Sequence, residues 1–443
     1  MRLRPQRNLS ARRNNPPVDF QQTLDYLYGL QRFGIKLGLE NIRTLLERLG
    51  NPQEAFSCLH VAGTNGKGSV SAFLAETLRH AGVCTGLYTS PHLHCFTERI
   101  RINGQPVSQG FACQLAVDVQ AAGESLPITF FEATTAMALL AFQRSDVEMA
   151  ILETGLGGRL DATNVVQPLL SLITPVSLDH QEHLGDDLAT IAAEKAGIIK
   201  PGVPVVVGRQ EPEVNKVLLK VAAERSAPVY LFDRDYQRKK ETEGHSVRLG
   251  ERQVSALTNR LPGAHQLDNM AQAVAAGLLL ADAGWPVTSE SCRQAGRSVV
   301  WPGRLEWWPG PPAILMDAAH NAAGVASLVS HLRQCDITGM PVLVGLSRGR
   351  RPARVLKSLA GIAGDVYAVP VGIGDSVDPA EIVDWAQSKG LNACSYSTPE
   401  EGFNAALEAC SESVPLVVCG SLFLVAAVRR QLGEFQPFDG LAG

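Results

Sequence analysis

A single stretch, Leu59-His-Val-Ala-Gly-Thr-Asn-Gly-Lys-Gly-Ser69, constrains the fold of this chain more than any other. Its apolar start predicts a short strand, its glycines predict a tight turn, and a helix is expected to begin near Lys67. In such a unit, successive backbone N–H groups and the helix N-terminus face an anion, and the lysine adds a point charge. The stretch therefore predicts a P-loop that binds a polyphosphate.

The spacing of this P-loop departs from the usual G-x-x-x-x-G-K-[ST] pattern. Val61 stands where the first glycine would be. Gly68 follows the lysine in place of Ser or Thr, and Ser69 comes one residue later. A simple glycine turn is the alternative, but the strand before it, the helix after it and Lys67 favour the P-loop.

Composition narrows the class of protein. At 443 residues the chain is too long for one ordinary core, so two or more domains are expected. A net charge of −4 provides no basic field for nucleic acid, and nine cysteines without a C-x-x-C pair argue against a disulfide framework or a zinc ribbon. No apolar run is long enough for a membrane helix and no signal peptide is expected, which indicates a cytoplasmic protein. Residues 1–16 hold five arginines and no acid, and we expect a flexible basic tail there.

Strand–helix alternation predicts an α/β fold with two domains. Residues 17–302 are expected to form the ATP-binding P-loop domain around a doubly wound, mostly parallel sheet. Residues 303–443 are expected to form a smaller Rossmann-like domain, with one of its helices over residues 353–362. Polar alternation over residues 233–257 predicts a small antiparallel appendage, and Asn103-Gly104 predicts a hairpin.

Polar residues recur directly after the predicted strands. They are Ser90 and His92, Glu153, Asp179 and His180, and Asp317 and His320. Ligands of open α/β sheets bind at the carboxyl ends of the strands, so these residues predict one site. Glu153 is the strongest candidate, because a buried carboxylate is costly unless it is paired or bound to a metal. A capping or salt-bridged Glu153, a structural His180 and a solvated Lys195 are the alternatives.

Nine segments carry a resemblance to a known family. They are His60-Val-Ala-Gly-Thr-Asn-Gly-Lys-Gly-Ser69, Thr89-Ser-Pro-His-Leu93, Glu98-Arg-Ile100, Phe131-Glu132, Glu153-Thr-Gly-Leu-Gly-Gly-Arg-Leu-Asp-Ala-Thr-Asn164, Asp179-His180, Glu194-Lys-Ala-Gly-Ile198, Pro302-Gly-Arg304 and Asp317-Ala-Ala-His-Asn321. With them the chain resembles the folylpolyglutamate synthase/dihydrofolate synthase family, which belongs to the wider Mur ligase group. The P-loop segment and the segment from Glu153 are the most specific.

The resemblance implies roles for the matching residues. Those that would hold ATP are Gly63, Thr64, Asn65, Gly66, Lys67, Gly68 and Ser69 at the phosphates, and Asn269, Arg304, Asp317 and His320 elsewhere. Those that would serve magnesium, at two sites, are Ser69, Ser90, Glu153 and His180. The catalytic set would be Lys67, Glu153, His180 and Lys195, of which Lys195 matches a lysine that can be carbamylated. Phe131 and Glu132 match the region that faces the pterin substrate.

The implied reaction joins L-glutamate to dihydropteroate or to a reduced folate. A carboxylate of the acceptor attacks the γ-phosphate of ATP, and the amine of glutamate then attacks the resulting acyl phosphate. Charge builds on oxygens throughout, so the site needs cations and N–H groups more than a protein nucleophile. Implied cofactors are ATP and magnesium, with potassium as a further candidate, and a monomer is expected without nucleic-acid or membrane partners. Whether one or both acceptors are used is left open.

Two other functions fit the same motifs. A Mur-type ligase would join an amino acid to a muramyl-nucleotide precursor, but Mur ligases usually carry Thr where this chain has Gly68. A non-catalytic ATP-binding regulator would be expected to have lost some of Lys67, Glu153, His180 and Lys195. The family's pattern is also broken in two places. Ala318 replaces a usual Gly, and Ser347-Arg-Gly-Arg-Arg351 replaces an acidic run, which predicts either an altered interdomain face or glutamate site or a solvated loop.

Overall fold

A computed structural model of the chain describes residues 19–33, 38–372, 376–411 and 414–433, so the predicted basic tail lies outside the described residues. The helices are α1 (Phe20–Gly29), α2 (Glu40–Arg48), α3 (Lys67–His80), α4 (Gln109–Ala122), α5 (Phe130–Arg144), α6 (Gln181–Leu184), α7 (Leu188–Ala196), α8 (Pro212–Glu224), α9 (Ala264–Asp282), α10 (Ser289–Ser298), α11 (Ala322–Gln334), α12 (Pro352–Val355), α13 (Pro379–Gln387), α14 (Pro399–Glu408) and α15 (Leu422–Gln431). The strands are β1 (Ser57–Ala62), β2 (Thr85–Tyr88), β3 (Ile100–Ile102), β4 (Gln105–Pro106), β5 (Met149–Glu153), β6 (Leu170–Ile173), β7 (Val205–Val207), β8 (Val229–Leu231), β9 (Tyr236–Lys240), β10 (His245–Leu249), β11 (Arg252–Leu257), β12 (Glu306–Trp308), β13 (Ile314–Met316), β14 (Met340–Val344), β15 (Ala363–Ala368), β16 (Ala393–Ser395) and β17 (Leu416–Cys419).

The first eight strands form one sheet, in the order β4-β3-β2-β5-β1-β6-β7-β8. The six strands from β2 to β8 in this order pair in parallel. The predicted hairpin β3–β4 lies at one edge, where β3 pairs antiparallel with both β2 and β4. Val61 lies opposite Glu153 in register, and Ala62 lies opposite Ile173. The carboxyl ends of β1, β5 and β6 therefore meet at the same edge, where a ligand can contact the loops that follow all three strands.

The last six strands form a second sheet, in the order β12-β13-β17-β14-β15-β16. All of its pairs are parallel except β12 with β13. The two mostly parallel sheets confirm the predicted fold class. The predicted domain boundary at residue 303 falls in the turn between α10 and β12, and the division itself stays a prediction.

The predicted appendage is confirmed as the antiparallel sheet β11-β10-β9. It packs on the P-loop half, because Val247 and Val254 share a buried apolar cluster with residues of β1, α3 and α9. The hydroxyl of Tyr236 also donates to the carbonyl of Val207, at 2.9 Å, which ties the appendage to β7.

The prediction of a continuous helix over residues 353–362 is wrong. The structure has four residues of α-helix in α12, followed by a single 3₁₀ turn at Leu359–Gly361. Val355, Leu356 and Leu359 are buried all the same, so an apolar pattern of helical spacing arises here without a continuous helix. Among the described helices, none combines the length and apolar character needed to cross a bilayer.

Candidate active site

The glycine-rich stretch forms the predicted strand–turn–helix unit. β1 ends at Ala62, and α3 begins at Lys67 after Gly66, whose φ of 87° is a left-handed conformation that glycine adopts without strain. A Cβ at Gly66 would also lie only 2.6 Å from the side-chain oxygen of Asn269 in α9. The structure thus places Asn269 directly against the P-loop, as expected for a residue of the nucleotide site.

Gly68, the departure in the P-loop, has a steric cause. A Cβ at this position would lie 2.8 Å from the indole nitrogen of Trp301, which leaves no room for Ser or Thr. We therefore expect the hydroxyl that a P-loop offers to a metal to come from Ser69, one residue later. The Ser69 oxygen is buried and has no hydrogen-bond partner within the described chain, although buried hydroxyls almost always have one. This oxygen is available to a ligand.

Glu153 ends β5 as a buried carboxylate with few partners. One oxygen accepts a hydrogen bond from the backbone N–H of Ser90 at 3.3 Å, and the other lies 4.0 Å from the ammonium of Lys67. Burial raises the pKa of Glu153, and Lys67 and the Ser90 N–H oppose that rise. A further cation beside this carboxylate would therefore be stabilising, as at a magnesium site.

Lys195 is a buried lysine on α7, not the solvated one that its sequence context alone suggests. Its ammonium donates to the carbonyl of Gly63 at 2.8 Å, beneath the P-loop. Burial and the charge of Lys67 lower the pKa of Lys195 to about 7. Much of the amine is therefore neutral near pH 7, and a neutral amine is the form that reacts with carbon dioxide.

The loop after β6 brings a carboxylate to the centre of the site. Asp179 accepts hydrogen bonds from the backbone N–H of His180 at 2.8 Å and from the amide of Asn321 at 3.0 Å. Burial acts to raise the pKa of Asp179, but His320, His180 and Arg350 together hold it well below its usual range. Asp179 is therefore an ionised group with a full set of partners.

Arg350 decides between the two interpretations of the Ser347–Arg351 segment. Its guanidinium forms an ion pair with Asp179, and its side chain is only 16% exposed. The loop after β14 is therefore not simply solvated, because it brings a cation from the second sheet to the nucleotide site of the first.

The loop after β13 presents a second well-bonded carboxylate. Asp317 accepts hydrogen bonds from the backbone N–H groups of Leu305 and Ala319, both at 2.8 Å. Its neighbour His320 makes a hydrogen bond through Nδ1 to the carbonyl of Ala318, also at 2.8 Å. That contact directs Nε2 of His320 toward Asp179, at 3.5 Å.

All of the predicted ATP, metal and catalytic residues line one cavity of about 190 Å³ between the two sheets. They are Gly63, Thr64, Asn65, Gly66, Lys67, Gly68, Ser69, Ser90, Glu153, His180, Lys195, Asn269, Arg304, Asp317 and His320. Within the described parts of the chain, no three His, Cys, Asp or Glu side chains converge as a ready-made metal site.

Phe131 and Glu132 lie at the start of α5. Glu132 completes a capping box, since its carboxylate accepts from the N–H of Thr129 at 2.7 Å. The ring of Phe131 packs on the glycine-rich loop after β5, where a Cβ at Gly155 would lie 2.5 Å away. The substrate-facing role of both residues stays a prediction.

No role was predicted from the sequence for Asn321 or Trp301, and Arg350 entered only as part of the Ser347–Arg351 departure. Asn321 joins the two halves, because its amide also exchanges hydrogen bonds with the amide of Asn65 in the P-loop, at 3.0 and 3.3 Å. Asn321 is the last residue of the Asp317–Asn321 segment, and its place in that motif could have identified it as a site residue. Trp301 precedes the Pro302-Gly-Arg304 segment, but nothing local indicates that its ring meets Gly68.

Comparison with known proteins agrees with this geometry. Residues 61–277 match the Mur ligase middle domain family. Folylpolyglutamate synthase of Lacticaseibacillus casei is 34% identical over 432 residues, which cover 94% of this chain and 99% of the relative.

Solved structures match over nearly the whole chain. The structure of E. coli FolC in complex with DHPP and ADP has a TM-score of 0.86 at 29% identity, covering 93% of this chain and 97% of FolC. The bifunctional folylpolyglutamate synthase/dihydrofolate synthase of Yersinia pestis, complexed with AMPPNP and a Mn ion, has a TM-score of 0.84 at 32% identity, covering 94% and 98%.

Proposed function

Because the chain belongs to the folylpolyglutamate synthase/dihydrofolate synthase family, it is an ATP-dependent ligase, and we propose that it joins L-glutamate to the carboxyl group of a pteroate or folate acceptor. The observation that carries this proposal is the convergence of the P-loop, Glu153 and Lys195 with Asp317 and His320 of the second sheet in one cavity. The relatives that bear both activity names support a bifunctional enzyme.

The P-loop would bind and orient ATP. Backbone N–H groups at the start of α3 and the ammonium of Lys67 would hold the β- and γ-phosphates. Asn269, packed on Gly66, would fix the loop and contact the nucleotide. The acceptor carboxylate would then attack the γ-phosphate in line, and these cations and N–H groups would stabilise the charge on the transferring oxygens.

The residues at the γ-phosphate end fit magnesium. The buried Ser69 oxygen has no hydrogen-bond partner among the described residues and the pKa of Glu153 is raised, so both would gain from a divalent cation. Magnesium needs only one or two carboxylates when phosphate and water complete its shell, so Ser69, Ser90, Glu153 and His180 are a sufficient protein set. Bound magnesium would neutralise charge on the phosphates. Two such sites, and a potassium ion, remain proposals.

Lys195 would contribute as a carbamate. Its nitrogen would attack carbon dioxide, lose a proton and become an anion beneath the P-loop, where it could help hold a second magnesium. The lowered pKa of Lys195 supports this role, because it provides the neutral amine near pH 7.

The two halves would close around the acyl phosphate. We propose that residues 17–302 form the ATP-binding domain and that residues 303–443 form the domain that supplies Asp317 and His320 to the same cavity. Arg350 of this second domain would fix Asp179 through their ion pair. Exclusion of water at this junction would protect the acyl phosphate from hydrolysis until the amine of glutamate attacks. The cytoplasmic location and the monomeric state stay predictions.

The test is ADP release in the presence of magnesium, ATP and L-glutamate. Three acceptors should be compared, namely 7,8-dihydropteroate, tetrahydrofolate and a muramyl-nucleotide precursor. Turnover with both pteridines would support the bifunctional enzyme, and turnover with one would name the narrower activity. Turnover with the muramyl acceptor alone, or tight ATP binding without turnover, would contradict the proposal.

A further inference from the structure

A second cavity, of about 600 Å³, begins at the reaction centre and extends to the hairpin β3–β4. We call it the hairpin cavity. Ser90, Glu153 and Arg304 line both it and the nucleotide cavity, so the two meet at these residues. From there it follows one face of α3 as far as Asn103 and Gln105. Its volume is that of a small-molecule site, yet the ATP chemistry uses only its inner end.

Two of the acids that line the hairpin cavity are bonded within the protein. Glu98 accepts hydrogen bonds from three successive backbone N–H groups, at 3.0, 3.0 and 2.8 Å. Glu76 accepts from the guanidinium of Arg79 and from the hydroxyl of Ser298, both at 2.8 Å. Both carboxylates are therefore compensated by donors within the protein. Of the arginines that line the cavity, Arg79 is paired with Glu76 and Arg429 with Glu306.

Arg101, on β3, gives the middle of the hairpin cavity a partly dehydrated cation. Its guanidinium lies over the ring of Trp301, 5.8 Å from the centroid, and donates to the carbonyl of Gly104 at 3.4 Å. Burial lowers the pKa of Arg101, which is the sign that its charge has lost hydration. A carboxylate bound there would form a charge-assisted contact beside the apolar surface of the indole.

The reacting carboxylate must lie at the inner end, next to the γ-phosphate. A γ-linked glutamyl chain carries one α-carboxylate and two methylene groups in each unit, which matches a wall where the Arg101 guanidinium lies beside the apolar ring of Trp301. We propose that the hairpin cavity binds the γ-glutamyl chain of the acceptor, with an α-carboxylate at Arg101. This inference rests on the proposed function, since it extends the acceptor site of the same reaction.

The test compares tetrahydropteroyl acceptors of different chain length, with dihydropteroate as the acceptor that carries no glutamate. Initial rates would be measured for the Arg101→Met variant and the parent protein with dihydropteroate and with tetrahydropteroyl acceptors that carry one, two or three γ-linked glutamates. In Arg101→Met, we expect KM to increase about tenfold more for the longer acceptors than for dihydropteroate. The reason is that one charge-assisted contact with the glutamyl chain is lost. Arg101→Lys should recover part of this difference.

Two results would overturn the inference. One is an equal change in KM for every acceptor. The other is a rise in KM for L-glutamate, which would place the amine substrate in the hairpin cavity instead. Failure of the proposed function is a separate outcome, because the parent protein would then release no ADP with any pteridine acceptor.

A second variant tests the same inference even if the Arg101 variants fail to fold. Gln105 is an exposed residue at the outer end of the hairpin cavity, so Gln105→Glu adds a negative charge without disturbing the core. It should raise KM for the longest acceptor most. The matched control is Gln120→Glu on the exposed side of α4, which should leave all the KM values unchanged. Equal effects of the two variants would contradict the inference.

Discussion

The two faces of the nucleotide cavity hold their polar groups in opposite ways. On the P-loop face, the Ser69 hydroxyl has no partner within the described chain and Glu153 has one hydrogen bond and a distant lysine. On the opposite face, Asp317 accepts two backbone hydrogen bonds and Asp179 accepts from a backbone N–H, an amide and a guanidinium. The pKa values follow, since that of Glu153 is raised by burial and that of Asp179 is held low by its partners.

We infer that this difference separates polar groups left open for a ligand from carboxylates whose bonds already hold loops of the protein in place. A buried group with too few partners gains from a bound ion or phosphate. A carboxylate with several donors is already satisfied, and its hydrogen bonds fix the loops that carry them. We therefore propose that the P-loop face is the reactive one. The face around Asp179, which bonds to Asn321 and Arg350, is the joint between the two sheets.

The largest effect should come from the reactive face. We expect Lys67→Ala and Glu153→Ala each to lower turnover by at least about a thousandfold, because each removes charge stabilisation at the γ-phosphate. Neither should lower the melting temperature much, since the pair is 4.0 Å apart and Glu153 is poorly compensated. ADP release measures the turnover of each variant, and thermal melting measures its stability. Near-normal activity with unchanged melting in either variant would remove that residue from the site.

A smaller loss is expected at Lys195. Lys195→Met should reduce turnover by about a hundredfold, the loss typical of a group that supports a metal ligand. Wild-type activity should fall in buffer depleted of carbon dioxide and return with bicarbonate, whereas the variant should not respond. A fully active enzyme whose intact mass shows a bare amine would contradict the carbamate.

Stability against pH gives an independent check on Lys195. Without carbon dioxide its pKa is about 7 in the folded chain. A free lysine titrates at about 10.4, so between these values the unfolded chain binds more protons. The free energy of unfolding should therefore rise with pH across that window, relative to Lys195→Met. A flat difference between the two proteins would mean that Lys195 is not the buried amine described above.

Substitutions at the joint around Asp179 should lower activity less than those on the P-loop face. Arg350→Met leaves Asp179 with its backbone and amide partners, so we expect kcat/KM to fall only about tenfold, the value of one charge-assisted contact. Arg350→Lys should recover part of the loss. Arg351→Met is the matched control, because this neighbour is exposed. A loss as large as that of Glu153→Ala would break the distinction between the two faces.

The residues of the P-loop face could be predicted from the sequence because short contiguous motifs contain them. Glu153 lies at the end of a strand as expected, since a short apolar run that ends in an acid before glycines has few other interpretations. The contact between Arg350 and Asp179 spans 171 positions, and no local pattern indicates it. α4 and α10 were not predicted, and residues 353–362 were predicted as a helix although only α12 forms there. In both cases tertiary packing, not local periodicity, decides which residues are buried.

The smallest effect should come from Glu132, whose carboxylate is buried but has its partner within the same capping box. Glu132→Ala and Thr129→Ala remove the two halves of that box, and each should cost about 1 kcal/mol of stability. If Glu132 acts only as a cap, both variants will lose similar stability and keep the acceptor KM within about twofold. If it faces the pterin substrate, as the family resemblance implies, Glu132→Ala alone will raise the acceptor KM. Melting curves and acceptor titrations of this pair decide whether a satisfied carboxylate outside the joint can still belong to the binding site.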